Sequence, residues 1–77
     1  MKARYSGHVA AFDDHRGRGE VEARGGLRFP FHCTAIADGS RTIAEGTPVQ
    51  FRLVIGPLGA LEATAITPAR ASATATA

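Results

Sequence analysis

Residues 48–55 have the sequence PVQFRLVI, in which apolar and polar side chains alternate. Successive side chains of a β-strand point to opposite faces of the sheet, so this pattern predicts a strand with one buried face. The outward face is predicted to carry Gln50 and Arg52. The other face is predicted to be core, and it consists of Val49, Phe51, Leu53 and Ile55.

Similar short segments lie elsewhere in the chain, rich in valine, isoleucine and phenylalanine and separated by breaks that contain glycine. No stretch keeps a helical period, so the class is all-β. We predict the other strands at 4–12, 17–23, 27–32 and 61–67. Gly25 and Gly26 supply the positive φ angles of a tight hairpin. Five short strands in this length predict a small antiparallel β-barrel.

The connection from residue 33 to residue 47 is long enough to cross one end of such a barrel. We expect a single helical turn at 34–37, with Thr34 as its cap. Pro30 lacks an N–H group, so we expect its nitrogen to face no neighbouring strand. The predicted interior is made of Val9, Val21, Phe29, Phe31, Ile36, Val49, Phe51, Leu53 and Ile66.

With 77 residues and 44% hydrophobic content, the chain has material for one core. We assign residues 1–68 to one domain and residues 69–77, rich in alanine and threonine, to a disordered tail. The lone Cys33 cannot form an internal disulfide, and no apolar leader or membrane-spanning run is apparent. We therefore expect a cytoplasmic protein that does not interact with a membrane.

The formal net charge of +2 is unevenly distributed, because six basic residues precede Phe29 against four acidic ones. Eight of the nine cations are arginine. Arginine pairs with phosphate in a fork geometry and stacks on flat rings. This composition favours a nucleic-acid partner, but only weakly, since a GC-rich coding sequence also enriches arginine.

From Ser6 to Pro68 the sequence resembles bacterial cold-shock proteins. The similarity lies in the order and spacing of short motifs, among them RGRGEV at 16–21 and FHCTAI at 31–36, which resemble the two ribonucleoprotein motifs of that family. Further matches are SGHV at 6–9, FD at 12–13, RTIAEG at 41–46 and VQF at 49–51. The resemblance implies a cold-shock domain, an OB-type β-barrel, and binding of single-stranded RNA or DNA.

The departures from the family pattern fall on the outward aromatic side chains that stack on bases. Those positions carry Ala11, Arg18, Glu20, Pro30, Cys33 and Ser40. Of the platform, Phe12 and His32 remain. Each stacked base contributes roughly 1–3 kcal/mol, so we expect any binding to be weak and chiefly electrostatic.

The candidate nucleic-acid-binding residues are Phe12, Arg16, Arg18, Arg28 and His32. Arg18 either stacks on a base or pairs with phosphate, or it forms an ion pair across the sheet with Glu20, Glu22 or another neighbour. Phe12 either stacks on a base or covers the barrel edge. Glu20 is the strongest argument against binding of a polyanion, so a barrel that serves as a protein-interaction or oligomerisation module is the rival hypothesis.

The sequence has no spacing typical of a metal site, no cofactor motif and no catalytic arrangement, so we predict no enzymatic activity. His32 and Cys33 evoke a base and a nucleophile, but neighbours along a strand are expected on opposite faces. We expect Cys33 to be a buried structural thiol.

Overall fold

The computed structural model describes residues 3–69, which form five strands and one short helix. The elements in chain order are β1 (Tyr5–Asp13), β2 (Arg18–Ala23), β3 (Arg28–His32), a 3₁₀ helix (Cys33–Ala35), β4 (Pro48–Ile55) and β5 (Leu61–Pro68). All five strands were predicted, and each end lies within one residue of the predicted position. The all-β, five-stranded antiparallel class is confirmed.

The strands form one sheet in the order β3-β2-β1-β4-β5, and every ladder is antiparallel. The two outer strands, β3 and β5, contact each other, so the sheet is curled. The segment after β3 completes this contact, because Ile36 forms an isolated bridge with Ile66 and the Ala37 N–H donates to the Ile66 carbonyl at 2.9 Å. The result is the small barrel that the strand count predicted.

Two irregularities allow the long strands to bend. The β1–β2 register shifts between Val9 and Ala11, and the β4–β5 register shifts between Gln50 and Arg52. Opposite the second shift, Ala65 adopts a φ of 51°, a left-handed conformation that non-glycine residues rarely take. Bulges of this kind increase local twist, and a small barrel needs such bends to close.

The core lies between the curled halves of the sheet. Its buried side chains are Val9, Val21, Phe31, Ile36, Val49, Phe51, Ala63 and Ile66. Phe29 and Leu53, predicted as core, pack against this cluster but are only partly buried. Ala63 was missed, because a small side chain gives a weak signal. The prediction for Ile55 is wrong: it is 69% exposed, since the end of β4 carries it into the hairpin with β5, beyond the core.

The short helix begins one residue earlier than predicted, and its cap is a different residue. His32, and not Thr34, is the N-cap, and the His32 side chain accepts a hydrogen bond from the Thr34 backbone N–H. The His32 imidazole therefore caps the helix, a role that we expected of the Thr34 hydroxyl. This ties the His32 ring to the end of β3.

Pro30 lies in β3, an edge strand in the order of the sheet, directly opposite Glu20. The Cys33 N–H donates to the Gly17 carbonyl at 2.7 Å, and hydrogen-bonded pairs alternate with non-bonded pairs along an antiparallel ladder. Pro30 therefore falls in a non-bonded pair, and its nitrogen points away from β2. This confirms the expectation that its missing N–H costs no ladder hydrogen bond.

At the carboxyl end, the Ala69 N–H donates to the Pro48 carbonyl at 2.8 Å, so backbone pairing continues one residue past the predicted domain end. The rest of the predicted tail, residues 70–77, lies outside the described residues. Between residues 3 and 69, no helix has the length and apolar character needed to cross a membrane.

Candidate nucleic-acid interface

The outward face of β2 and β3 is formed by cross-strand pairs. These pairs are Arg18 with His32, Glu20 with Pro30, and Glu22 with Arg28. Glu20 and Arg18 also lie opposite Ala11 and Asp13 of β1, so the face extends across three strands. The outward placement of Arg18, Glu20, Pro30 and His32 that the alternation predicted is confirmed, since all four are exposed.

Arg28 is held by two carboxylates on this face. Its Nε lies 3.2 Å from Glu22 Oε1, and its Nη1 lies 3.6 Å from Glu20 Oε1. These ion pairs are partly exposed and stabilise the fold little. They nevertheless offset the charge of Arg28, so this predicted binding residue has less attraction for phosphate than its sequence position suggested.

Arg16 belongs to the turn between β1 and β2. The Asp13 carboxylate accepts hydrogen bonds from the backbone N–H groups of His15 and Arg16, at 3.0 and 3.2 Å. Arg16 Nε lies 3.8 Å from the second oxygen of Asp13, and both side chains are largely exposed. Asp13 thus closes the turn and also faces the cation that was predicted to contact phosphate.

Arg18 differs from both, because none of the carboxylates in residues 3–69 lies within ion-pair distance of its guanidinium. The expected alternative, an ion pair with Glu20 or Glu22, is not formed; Arg28 takes both carboxylates. Arg18 is exposed and lies opposite His32. Asp13 lies opposite Arg18 in the β1–β2 ladder. Of the predicted cations of the interface, Arg18 is nevertheless the one that forms no ion pair with a carboxylate of residues 3–69.

The His32 ring is oriented by the residue two positions later. The Thr34 backbone N–H donates to His32 Nδ1 at 3.3 Å, and the Thr34 hydroxyl oxygen lies 3.0 Å from the same nitrogen. Because a backbone N–H can only donate, Nδ1 is the acceptor and the neutral ring carries its proton on Nε2. The Nε2–H group is then a donor suited to a phosphate or base oxygen.

Phe12 packs against the core side of the barrel. Its ring stacks on Phe31 with a centroid separation of 5.7 Å and an interplanar angle of 7°. Gly19 makes this possible, since a Cβ there would lie 2.7 Å from the Phe31 ring and 2.9 Å from the Phe12 ring. Phe12 is half-buried and still lines the groove over β1–β3, so it covers the barrel edge and offers only part of its ring to a ligand.

His32 and Cys33 do not point apart as expected. β3 ends at His32, and the chain turns into the 3₁₀ helix at Cys33, which brings Sγ to 3.8 Å from His32 Nδ1. Cys33 is also half-buried over Gly17, and not fully buried. Because His32 Nδ1 already accepts from the Thr34 N–H, that nitrogen is not available as a base for the thiol.

The groove over this face, with a volume of about 770 Å³, has an acidic lining. Its two guanidinium groups belong to Arg16 and Arg18, whereas its four carboxylates belong to Asp13, Glu20, Glu45 and Glu62. Glu45 and Glu62 come from distant parts of the chain, and sequence reasoning missed them. No local pattern marks these two residues, since the barrel topology alone brings them to the groove.

No group of three or more histidine, cysteine or acidic side chains converges as metal ligands within the described part of the chain. His15 lies in the β1–β2 turn, and His32 is engaged by Thr34.

The fold is an OB-type barrel of the kind found in cold-shock domains. Among solved structures, the chain is similar to Drosophila Unr CSD456, with a TM-score of 0.75 and 24% sequence identity. The alignment covers 96% of this chain and 30% of that one, so this chain spans less than a third of the length of that structure. No protein-family model and no curated protein matches the sequence.

Proposed function

We propose that this protein is a cold-shock-type module that binds single-stranded RNA or DNA weakly and chiefly through electrostatic contacts. The observation that carries the proposal is the Arg18–His32 pair on the outward face of β2 and β3. It combines a guanidinium that pairs with none of the carboxylates in the described part of the chain and an imidazole oriented by Thr34. The similarity of the fold to a cold-shock domain supports a nucleic acid as the ligand class.

Binding is expected to be weak because of the residues that surround the Arg18–His32 pair. Phe12 is stacked on Phe31, Arg28 is compensated by Glu20 and Glu22, and four carboxylates line the groove. A polyanion approaching the face meets both signs of charge and few exposed rings. The attraction that remains comes from phosphate contacts, which release counterions and fall with salt.

The test is a titration of the full chain into a fluorescently labelled, unstructured oligonucleotide at several salt concentrations. We expect binding at low salt that weakens as salt rises. The informative variant is Arg18→Ala. Arg24→Ala is its matched control, since it removes the same charge from an exposed position outside the groove.

A protein-interaction or oligomerisation function is the second candidate, and one observation favours it. The acidic groove adjoins the exposed hairpin between β4 and β5, where Leu58 is 94% exposed and also lines the groove. A combined acidic and apolar surface suits a basic protein segment better than it suits a polyanion. Sedimentation of the free protein as an oligomer would support this candidate. Capture of a lysine-rich peptide, without oligonucleotide binding, would support it as well.

The cytoplasmic location and the absence of enzymatic activity remain predictions from the sequence.

A further inference from the structure

We infer a second ligand site at the opposite end of β1, where Tyr5 and Arg52 line a pocket suited to a nucleotide, a flat ring that carries a phosphate. The pocket has a volume of about 560 Å³ and is also lined by Ala3, Leu53, Val54, Thr64 and Ala65. It lies beside the start of β1, next to residues of β4 and β5. The choice of a nucleotide rests in part on the proposed function, but the site does not use Arg18 or His32.

Tyr5 supplies the aromatic surface. The chain contains five aromatic residues, four phenylalanines and this tyrosine. Tyr5 is 42% exposed, whereas each phenylalanine is buried or half-buried. The Tyr5 ring rests on the core, with its centroid 6.0 Å from that of Phe51. A supported, partly exposed ring is what base stacking requires, and the β1–β3 face no longer provides one.

Arg52 supplies the positive charge. Its Nε atom is buried and has no hydrogen-bond partner among residues 3–69, and none of the carboxylates described there pairs with its guanidinium. An unsatisfied buried donor is costly. Arg52 also lines the pocket with no described carboxylate to offset its charge, so an anionic ligand there would meet an uncompensated cation. Phosphate is the favoured partner, because a guanidinium matches its geometry with parallel donors.

The charge of the surroundings distinguishes this pocket from the groove over β1–β3. Among the described residues, no acidic side chain lines the pocket, and Arg52 is the charged residue in its wall. Arg4, which precedes Tyr5, is exposed and donates through Nη2 to the Thr67 hydroxyl at 2.8 Å. Arg4 is therefore engaged outside the pocket wall, and the cation available to a ligand is Arg52, with Thr64 of β5 as a further polar residue in the wall.

The single tyrosine makes the site directly observable. With ¹³C-labelled tyrosine in the full chain, one set of ring signals reports on Tyr5 by NMR. The ligands are thymidine monophosphate, thymidine and inorganic phosphate. We expect the monophosphate to shift the ring signals saturably, and to bind at least tenfold more tightly than thymidine or phosphate, because each of these lacks one of the two contacts.

Arg52→Gln should lower the affinity for thymidine monophosphate at least fivefold, whereas Arg41→Gln should change this affinity less than twofold. Arg41 loses the same charge from an exposed loop outside the pocket. Arg52→Lys is a second variant in case Arg52→Gln fails to fold. It keeps the positive charge but lacks the parallel donors of the guanidinium, so we expect an intermediate affinity for the monophosphate. A response to phosphate equal to that of the monophosphate, an unchanged affinity in Arg52→Gln, or no shift at all would overturn the inference.

A parallel titration with a labelled oligonucleotide separates this inference from the proposed function. If the oligonucleotide binds in a salt-dependent manner while the monophosphate leaves Tyr5 unshifted, the second site is wrong and the proposed function stands. If the monophosphate shifts Tyr5 but no oligonucleotide binds at low salt, the second site stands and the proposed function is wrong.

Discussion

Arg18 and His32 lie directly opposite each other in the β2–β3 ladder, both exposed on the outward face. Their neighbours explain why this pair matters. The next outward pair along the ladder is Glu20 with Pro30. The outward pair after that is Glu22 with Arg28, which forms an ion pair. The cationic end of the face is therefore confined to the side where β2 begins and β3 ends.

Replacing Arg18 by alanine should weaken oligonucleotide binding and flatten its salt dependence. Each phosphate contact on a single strand contributes about 0.7 to the slope of log K against log salt. We expect the slope to fall in magnitude by roughly 0.7 in Arg18→Ala, measured by fluorescence anisotropy. The control Arg24→Ala should leave the slope close to that of the unmodified protein, and an equal effect of both variants would show that Arg18 makes no specific contact.

Replacing Glu20 by phenylalanine should strengthen binding, because it adds a stacking surface and removes a carboxylate from the groove. A restored stacking contact of roughly 1–3 kcal/mol corresponds to about 5- to 150-fold in affinity. Glu20→Gln separates the two causes, since it removes the charge and adds no ring. If the glutamine variant gained as much affinity as the phenylalanine variant, charge and not stacking would limit binding.

Gly19→Ala should destabilise the barrel. The added Cβ would lie 2.5 Å from the Ala11 carbonyl oxygen, a backbone atom, and within 3 Å of the stacked Phe12 and Phe31 rings. Overpacking of this kind costs about 1–3 kcal/mol in free energy of unfolding, measured by urea denaturation. Glu20→Ala, at the exposed neighbouring position, should change stability by no more than about 1 kcal/mol. Equal stability of Gly19→Ala and the unmodified protein would contradict the close packing at Gly19.

The loop after the 3₁₀ helix should make a pH-dependent contribution to the stability of the fold. The Ser40 backbone N–H, 2.8 Å from Asp38 Oδ1, and then the Ser40 side chain lower the pKa of Asp38 below its ordinary value. A carboxyl whose pKa is lower in the folded state stabilises the fold above its unfolded pKa. That contribution is lost as the pH falls through the folded pKa.

Titration of the Asp38 carboxyl by NMR should show the lowered pKa. Ser40→Ala should raise it part of the way, because the backbone N–H remains. A pKa of Asp38 at or above the ordinary value would contradict the hydrogen bond to Ser40.

The strands and most of the core were predictable because their signals are local. Alternation in β4 identified Val49 and Phe51 as buried, and Gly25 and Gly26 marked the hairpin, where both adopt positive φ angles. Ile55 shows the limit of this reasoning. Alternation assigns a face of the strand, but it does not say how far along the strand the barrel interior extends.

The candidate interface was predictable as a set of outward residues, whereas its charge balance was not. Glu45 and Glu62 reach the groove through the fold and carry no sequence signal for it. The ion pairs of Arg28 depend on the β2–β3 register, which the sequence suggests only approximately. Tyr5 is not marked by the resemblance either, because the stacking positions of the family pattern do not include the start of β1.

The most direct test of the central claim is the binding constant for a labelled single-stranded oligonucleotide as a function of salt. If Arg18 contacts one phosphate, and Arg16 and Arg28 give up their exposed ion pairs to contact two more, the slope of log K against log salt should be near −2. Measurable binding at low salt with a slope near this value, flattened in Arg18→Ala, is the predicted result. Absence of binding at low salt, together with self-association or capture of a basic peptide, would contradict the nucleic-acid function and favour the interaction module.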